Sequence, residues 1–405
     1  MPNASKINSK IILAEPCIVM KKLYLLIFIS VFLAYKVSSP AGDTPYNYFT
    51  RLGAAFLDGK YYLTDNPPWL SELIPAGNTK YYVVYPPAPA LLVIPFILLF
   101  GQNFPQQIFA HLVGAGIVLS AIILTVQYKK DTRLALWTGL LVGLGTLVWY
   151  MSSVGSVWYL GQTTAALFLL LALIEAFGKK RLALIGFLLA IAFFSRLNTF
   201  VSLPLYIFIL RHRIKHLKAL LLFLSPIVFF SALYGIYNFV RFGSFFENGY
   251  FLLPKILNET DAPWFAKGVM SPYYILDNVK TAFWSFPKLL DKFPFIQPSW
   301  AGLAIWITTP AFIYALVSTK PKKLLNITKA TVIISFLFVA MHGGTGFAQF
   351  GYRFAVDFYP FLILLVIRNV EATGVKKHHW LLLAISIVVN AWGVVWINKF
   401  GWVSY

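Results

Sequence analysis

Asp43 is the first residue whose type and place could do chemistry. It stands in Ala41-Gly42-Asp43-Thr44-Pro45-Tyr46, a few residues beyond the first long apolar run. Thr44 reads as an N-cap and Pro45 as the first residue of a helix over 45–58, because a hydroxyl caps free backbone N–H groups and proline's missing donor is harmless there. Asp43 then sits at the positive end of that helix, which favours its ionised form. An ionised carboxylate at a membrane surface is what a general base for a hydroxyl acceptor requires; the plainer alternative is that Asp43 only caps the helix. Asp58 and Asp65 compete with it but lie an amphipathic helix further from the first apolar run. Lys80, in Lys80-Tyr81-Tyr82-Val83-Val84-Tyr85-Pro86-Pro87, is a point charge able to meet a phosphate. Arg196 and Arg353 fall at the ends of apolar runs. An arginine at membrane depth is costly and for that reason a functional candidate, the alternative being a side chain that snorkels to headgroup phosphates. Asp357 follows Arg353 by one helical turn, the spacing at which it would orient that guanidinium.

The elements that must position these residues are membrane helices. Of 405 residues 59% are hydrophobic and 12% charged, with a mean hydropathy of +0.72, a surface that a soluble fold of this length could not solvate. The apolar runs are continuous rather than alternating, which implies helices and not a barrel. The fold class predicted is an all-α polytopic membrane protein. The net charge of +20 does not indicate a nucleic-acid partner, since Lys and Arg are gathered in short tracts between apolar runs, such as Lys179-Lys180-Arg181 and Lys320 to Lys323. Such tracts anchor membrane helices on the cytoplasmic side; nucleic-acid binding needs one contiguous basic face. Cys17 is the single cysteine, so no intramolecular disulfide and no cysteine metal site can form. No other residues have metal-ligand spacing, and neither a metal nor another cofactor is expected.

The runs fall at about 23–38, 88–101, 106–127, 134–151, 161–178, 182–195, 198–210, 219–240, 299–318, 325–342, 352–367 and 380–398. If each crossed, a cytoplasmic N-terminus would put every later basic tract outside, against the positive-inside rule. Run 88–101 is short, follows Tyr85-Pro86-Pro87 and contains Pro95, so it is read as an interfacial or re-entrant helix on the outer side. Residues 182–210 then form a hairpin of two short helices with Ser195-Arg196-Leu197-Asn198 at its outer tip. The result is about eleven transmembrane helices, with interfacial helices in the first outer loop. A cytoplasmic segment at 1–22 precedes a single membrane domain at 23–405, with outer loops at about 39–105 and 241–298 and an uncleaved first helix. Most carboxylates fall on the outer side, so function belongs there.

Read in order, several motifs resemble the integral-membrane glycosyltransferases of the GT-C type, in particular the protein-mannosyltransferase and aminoarabinose-transferase group. They are Gly42-Asp43 after the first helix, Tyr85-Pro86-Pro87 entering an apolar helix, Phe194-Ser195-Arg196-Leu197-Asn198 at the hairpin tip, Tyr237-Asn238 with Arg241-Phe242-Gly243-Ser244, and Gly351-Tyr352-Arg353 opening a late helix with Pro360. The resemblance spans most of the chain. It implies a polyprenyl-phosphate-linked sugar as donor, inversion at the anomeric carbon, and Asp43 as the catalytic carboxylate. Asp43-Thr44 stands where members of the group carry an adjacent acidic pair, which leaves divalent-cation dependence and the acceptor (glycan, lipid or protein) open. On this reading Arg353, Arg196 and Lys80 hold the donor phosphate, because guanidinium and ammonium groups stabilise charge on a leaving phosphate. Tyr85, Glu247, Tyr250, His342 and Asp357 are the further residues expected around sugar or acceptor. Location is multi-pass in a plasma or inner membrane with the site on its outer face. The competing readings are a polysaccharide polymerase or ligase, a lipid or sugar transporter of the flippase kind, and a non-catalytic scaffold.

Overall fold

The computed structural model describes residues 18–317 and 319–403; most of the segment expected over 1–22 lies outside the described residues. The chain runs through α1 (Ile18–Ser38), α2 (Tyr48–Leu57), a hairpin of β1 (Leu73–Pro75) and β2 (Tyr81–Val83), α3 (Ala88–Phe100), α4 (Gln106–Tyr128), α5 (Thr132–Leu144), α6 (Val148–Val154), α7 (Val157–Phe177), α8 (Leu182–Phe193), α9 (Leu203–Leu210) and α10 (Leu217–Phe242). A loop with α11 (Leu253–Ile256), α12 (Ile275–Trp284) and a second hairpin, β3 (Lys288–Leu289) with β4 (Ile296–Gln297), leads to α13 (Ile305–Thr308), α14 (Lys322–Ala340), α15 (Tyr359–Thr373) and α16 (Lys377–Val394). The two antiparallel hairpins correct the all-α expectation in detail, since the long loops carry short strands.

Among the described residues five helices are each long and apolar enough to cross a membrane: α4, α7, α10, α14, and α16 with its extension to Lys399. Helices α5 and α6, bent by 49° at the break between them, make a sixth if counted as one span. Two apolar runs read as continuous helices are broken. Run 299–318 ends as α13 at Thr308 and resumes as a 3-10 turn from Pro310 to Ala315, because proline cannot donate to the preceding turn and clashes with it. Run 352–367 begins with a 3-10 turn, Arg353–Phe358, before Pro360 starts α15. The hairpin at 182–210 forms as α8, a tip, a 3-10 turn over Leu197–Ser202 and α9.

The main core joins α4, α5, α7 and α15 around Trp137, Tyr206 and Phe361, all fully buried. Helix α10 behaves differently: Leu221, Leu222, Val228, Phe229 and Leu233 are exposed, as on a helix facing lipid. Its tie to the bundle is close backbone contact. A Cβ added at Gly186 of α8 would lie 2.1 Å from the Phe223 carbonyl oxygen of α10, the small-residue contact that lets membrane helices approach. Gly186→Ala forces these helices apart at a cost of about 1–3 kcal/mol, and a lowered apparent Tm of the purified protein in detergent checks this.

A second core packs α2, α3 and the first hairpin against the ends of α4 and α7. Arg241, buried at the end of α10, fastens this layer. Its Nη1 donates to Val83 O at 2.8 Å and its Nη2 to Asn238 Oδ1 at 2.8 Å, with Tyr237 3.8 Å from the guanidinium carbon to ring centre. The loops 39–87 and 243–304 therefore gather at one end of the bundle.

Candidate functional site

The loop after α1 is shaped by Gln106, the first residue of α4. Its Nε2 donates to the Tyr46 carbonyl at 3.2 Å, and Val157 N donates to that same oxygen at 3.1 Å. Residues 44–47 are thereby held out of a helix. Helix α2 starts at Tyr48, not Pro45, and its free N–H groups at Phe49 and Thr50 are capped by Gln106 Oε1 at 2.9 and 3.3 Å. Thr44, expected as the N-cap, instead accepts from Tyr46 N in a local turn at 3.3 Å. Asp43 does meet a helix N-terminus, but that of α4: its Oδ1 accepts from Gln107 N at 3.0 Å and its Oδ2 from Gln106 N at 3.3 Å. It lines a polar cavity of about 430 Å³ together with Asn47, Arg51 and Asp65, and Arg51 pairs with Asp65 at 2.6 Å.

The two arginines lie elsewhere, in a cavity of about 670 Å³ lined by Arg196, Arg353, Tyr85, Tyr250, His342 and two carboxylates, Glu72 and Glu259, among aromatic side chains from α6, α7 and the second loop. Neither arginine lines the cavity that holds Asp43. An adjoining apolar pocket of about 200 Å³ shares Tyr85, Arg196, Tyr250 and His342 and continues along Phe200, Phe251, Phe338 and Val339. Tyr85 stands at the junction, buried, with its ring edge-on to Tyr48 at 5.8 Å.

Asp357 orients Arg196, not Arg353. Its Oδ2 accepts from Arg196 Nε at 3.2 Å and Asn198 Nδ2 at 2.6 Å, while Oδ1 accepts from Gln162 Nε2 at 3.1 Å. The correction follows from the 3-10 turn, in which residues four apart no longer share a face. Arg353 donates to the Gly346 carbonyl at 3.1 Å and to Gln162 Oε1 at 3.3 Å, and among the described residues it has no carboxylate within ion-pair distance. One guanidinium in the cavity thus makes no direct ion pair, and Glu72 acts on it only through space.

Tyr250 and His342 meet across the cavity, hydroxyl to Nε2, at 2.7 Å. The His342 backbone is fixed by Asn278, whose Nδ2 donates to the carbonyls of Ala340 at 3.2 Å and His342 at 3.1 Å. Burial, helped by Arg196, pulls the imidazole pKa down from 6.5 to about 4, so His342 is neutral at pH 7. Glu72 is shifted the opposite way. Burial raises its pKa from 4.5 to about 7, against the lowering effects of its Trp158 hydrogen bond and of Arg353.

Three expected residues line none of these cavities, Asp357 being buried behind Arg196. Lys80 is exposed in the turn between β1 and β2, where its carbonyl accepts from Ala76 N at 2.8 Å and its Nζ lies 4.9 Å from the Tyr62 ring centre. Glu247 accepts from Gly249 N at 2.6 Å and closes a turn. Glu72, Glu259 and Gln162 are site residues that sequence reasoning missed. The signal for Glu72 was a carboxylate set in Trp69-Leu70-Ser71-Glu72-Leu73-Ile74, between apolar neighbours of a loop. Among the described residues no group of three His, Cys, Asp or Glu side chains is gathered to hold a metal ion.

No family model matches the sequence, and no curated protein matches it. The fold is similar to that of ArnT from Cupriavidus metallidurans bound to undecaprenyl phosphate, with a TM-score of 0.54 at 13% identity over 93% of this chain. Against the same protein in its apo state the TM-score is 0.53 at 13% identity over 92%. This chain covers 64% of the length of those chains. The chain thus shares the fold of these two structures.

Proposed function

We propose that this chain is an integral-membrane glycosyltransferase that moves a sugar from a polyprenyl-phosphate donor to an acceptor on the outer face of the membrane, inverting the anomeric carbon. The observation that carries the reading is Arg353: a guanidinium with, among the described residues, no carboxylate within ion-pair distance, in a cavity that opens into an apolar pocket. A lipid phosphate meets both needs, its prenyl chain in the apolar pocket and its charge on Arg353 and Arg196. The aromatic walls suit a sugar, whose C–H faces stack on rings. The ArnT fold supports the reading, since one of those structures is bound to undecaprenyl phosphate.

The positive-inside argument supplies sidedness. With eleven crossings and α3 kept at the outer surface, the loop-rich end holding the cavity faces outward. No cation is needed for the donor phosphate while two guanidinium groups face it. Direct displacement by an acceptor hydroxyl leads to inversion. The acceptor, whether glycan, lipid or protein, is left undefined by the cavity. Asp43, the base expected from the resemblance, lines the other cavity.

Two assays test this. Undecaprenyl phosphate should bind the purified protein in native mass spectrometry, and Arg196→Ala should weaken that binding at least tenfold. A panel of radiolabelled polyprenyl-phosphate sugars, offered with a membrane extract, should include one whose sugar is transferred. No binding and no transfer from any member would refute the proposal.

A further inference from the structure

Resting on the transfer reaction proposed above, we infer that Glu72, rather than Asp43, takes the proton of the attacking acceptor hydroxyl. Glu72 shares a cavity with Arg196 and Arg353, and Asp43 does not. Trp158 Nε1 donates to Glu72 Oε2 at 3.0 Å, and the Tyr48 hydroxyl accepts from the Glu72 backbone N–H at 3.4 Å. The carboxylate is therefore aimed by α2 and α7, while among the described residues no donor takes Oε1. One oxygen is fixed and the other is left for a hydroxyl. Asp43 has both oxygens engaged by backbone N–H groups of α4. That arrangement suits a helix cap.

The groups facing Glu72 are Tyr48 from α2, Tyr250 and Glu259 from the loop after α10, and Arg353 from the turn before α15. Burial outweighs the arginine, so the carboxyl titrates near pH 7, where a general base is most effective. In the step, the acceptor oxygen forms a bond to the anomeric carbon on the face opposite the phosphate. The carbon–oxygen bond to phosphate breaks, and its electron pair goes to the phosphate oxygen beside Arg353. The hydroxyl proton passes to Glu72 and then to water. The products are the glycosylated acceptor and polyprenyl phosphate, with no change of oxidation state.

The test uses the purified full chain and the polyprenyl-phosphate sugar from the panel that the native protein turns over; if none is turned over, the function fails and not this assignment. Glu72→Gln should lower kcat at least a hundredfold with undecaprenyl phosphate binding within twofold of native, which also shows that the variant is folded. Azide carries no proton at neutral pH and needs no base, so Glu72→Ala with azide should yield the glycosyl azide, and Asp43→Ala should not. The native rate should rise with pH through about 7.

Stability gives an independent reading of the same carboxylate. Its folded pKa is raised from 4.5 to about 7, so its ionisation destabilises the fold, a penalty absent below the ordinary carboxylate range, growing as pH rises and complete above pH 7. Glu72→Gln should therefore raise the apparent Tm at pH 8 and leave it unchanged at pH 4. Glycosyl azide from Asp43→Ala and none from Glu72→Ala would overturn the assignment while keeping the transferase. Native-like turnover by Glu72→Gln would overturn it too.

Discussion

Arg353→Ala should lower sugar transfer by two to three orders of magnitude and leave the apparent Tm unchanged or slightly raised. The two halves of this expectation have one cause. As the sugar–phosphate bond breaks, negative charge gathers on the leaving phosphate, and a preorganised donor at such a place is worth about 3–4 kcal/mol in the transition state. The same guanidinium is half-buried, hydrogen-bonded to the Gly346 carbonyl and Gln162 Oε1 and set over the Phe354 and Tyr159 rings. A cation out of water without a direct ion pair costs stability, so its removal takes away a cost along with a catalyst. Arg353→Lys keeps the charge but not the planar fork and should recover part of the rate. Single-turnover transfer and thermal melting of the three proteins decide the matter. Transfer by Arg353→Ala within about threefold of the native rate, a difference below 1 kcal/mol, would remove Arg353 from the donor site.

How far the sequence goes toward this site depends on the range of the forces that build it. Membrane helices are announced by their own residues, since continuous apolar runs between basic tracts need no partner to be recognised. The tip carrying Arg196 and the break before α3 follow from that pattern, and both cavity arginines were named from it. Pairings between distant segments are another matter. The spacing of Arg353 and Asp357 promised an i,i+4 contact, but a 3-10 turn over Arg353–Phe358 sent the carboxylate to Arg196, 161 positions away. Asp43 was read against the helix that follows it in sequence, yet it caps α4 because Gln106 and Val157 hold the intervening chain by the Tyr46 carbonyl. Glu72 lies in a loop without periodicity, and what aims it is an indole 86 positions away. In the same loop sequence reasoning weighs only Asp58 and Asp65, as weaker competitors of Asp43. Lys80 shows the same limit from the other side: its type suited a phosphate, and a two-stranded hairpin turned it elsewhere.

Asp357→Asn should be the most destabilising polar substitution behind the cavity wall, at a cost of about 3–5 kcal/mol. The carboxylate is buried and accepts from three donors: Arg196 Nε and Asn198 Nδ2 on one oxygen, Gln162 Nε2 on the other. An amide offers one oxygen and one NH₂. Whichever way it turns, a nitrogen meets a donor, and Arg196 loses its counter-charge while still enclosed. The tip Ser195-Arg196-Leu197-Asn198 then keeps the contact of Arg196 with the Phe354 ring but loses its ionic tie to the turn before α15, and donor binding weakens along with stability. A paired replacement separates the two effects. Arg196→Met with Asp357→Leu removes both charges together and fills similar volume, which for buried pairs restores stability without restoring chemistry. The double variant should melt close to the native protein, well above Asp357→Asn, and still fail to transfer sugar. A thermodynamic cycle over the single and double variants gives the coupling directly. If the single and double variants melt together, the pair does not hold the tip. If the double variant transfers sugar at the native rate, Arg196 does not hold the donor phosphate, and Arg353 alone must carry the leaving group.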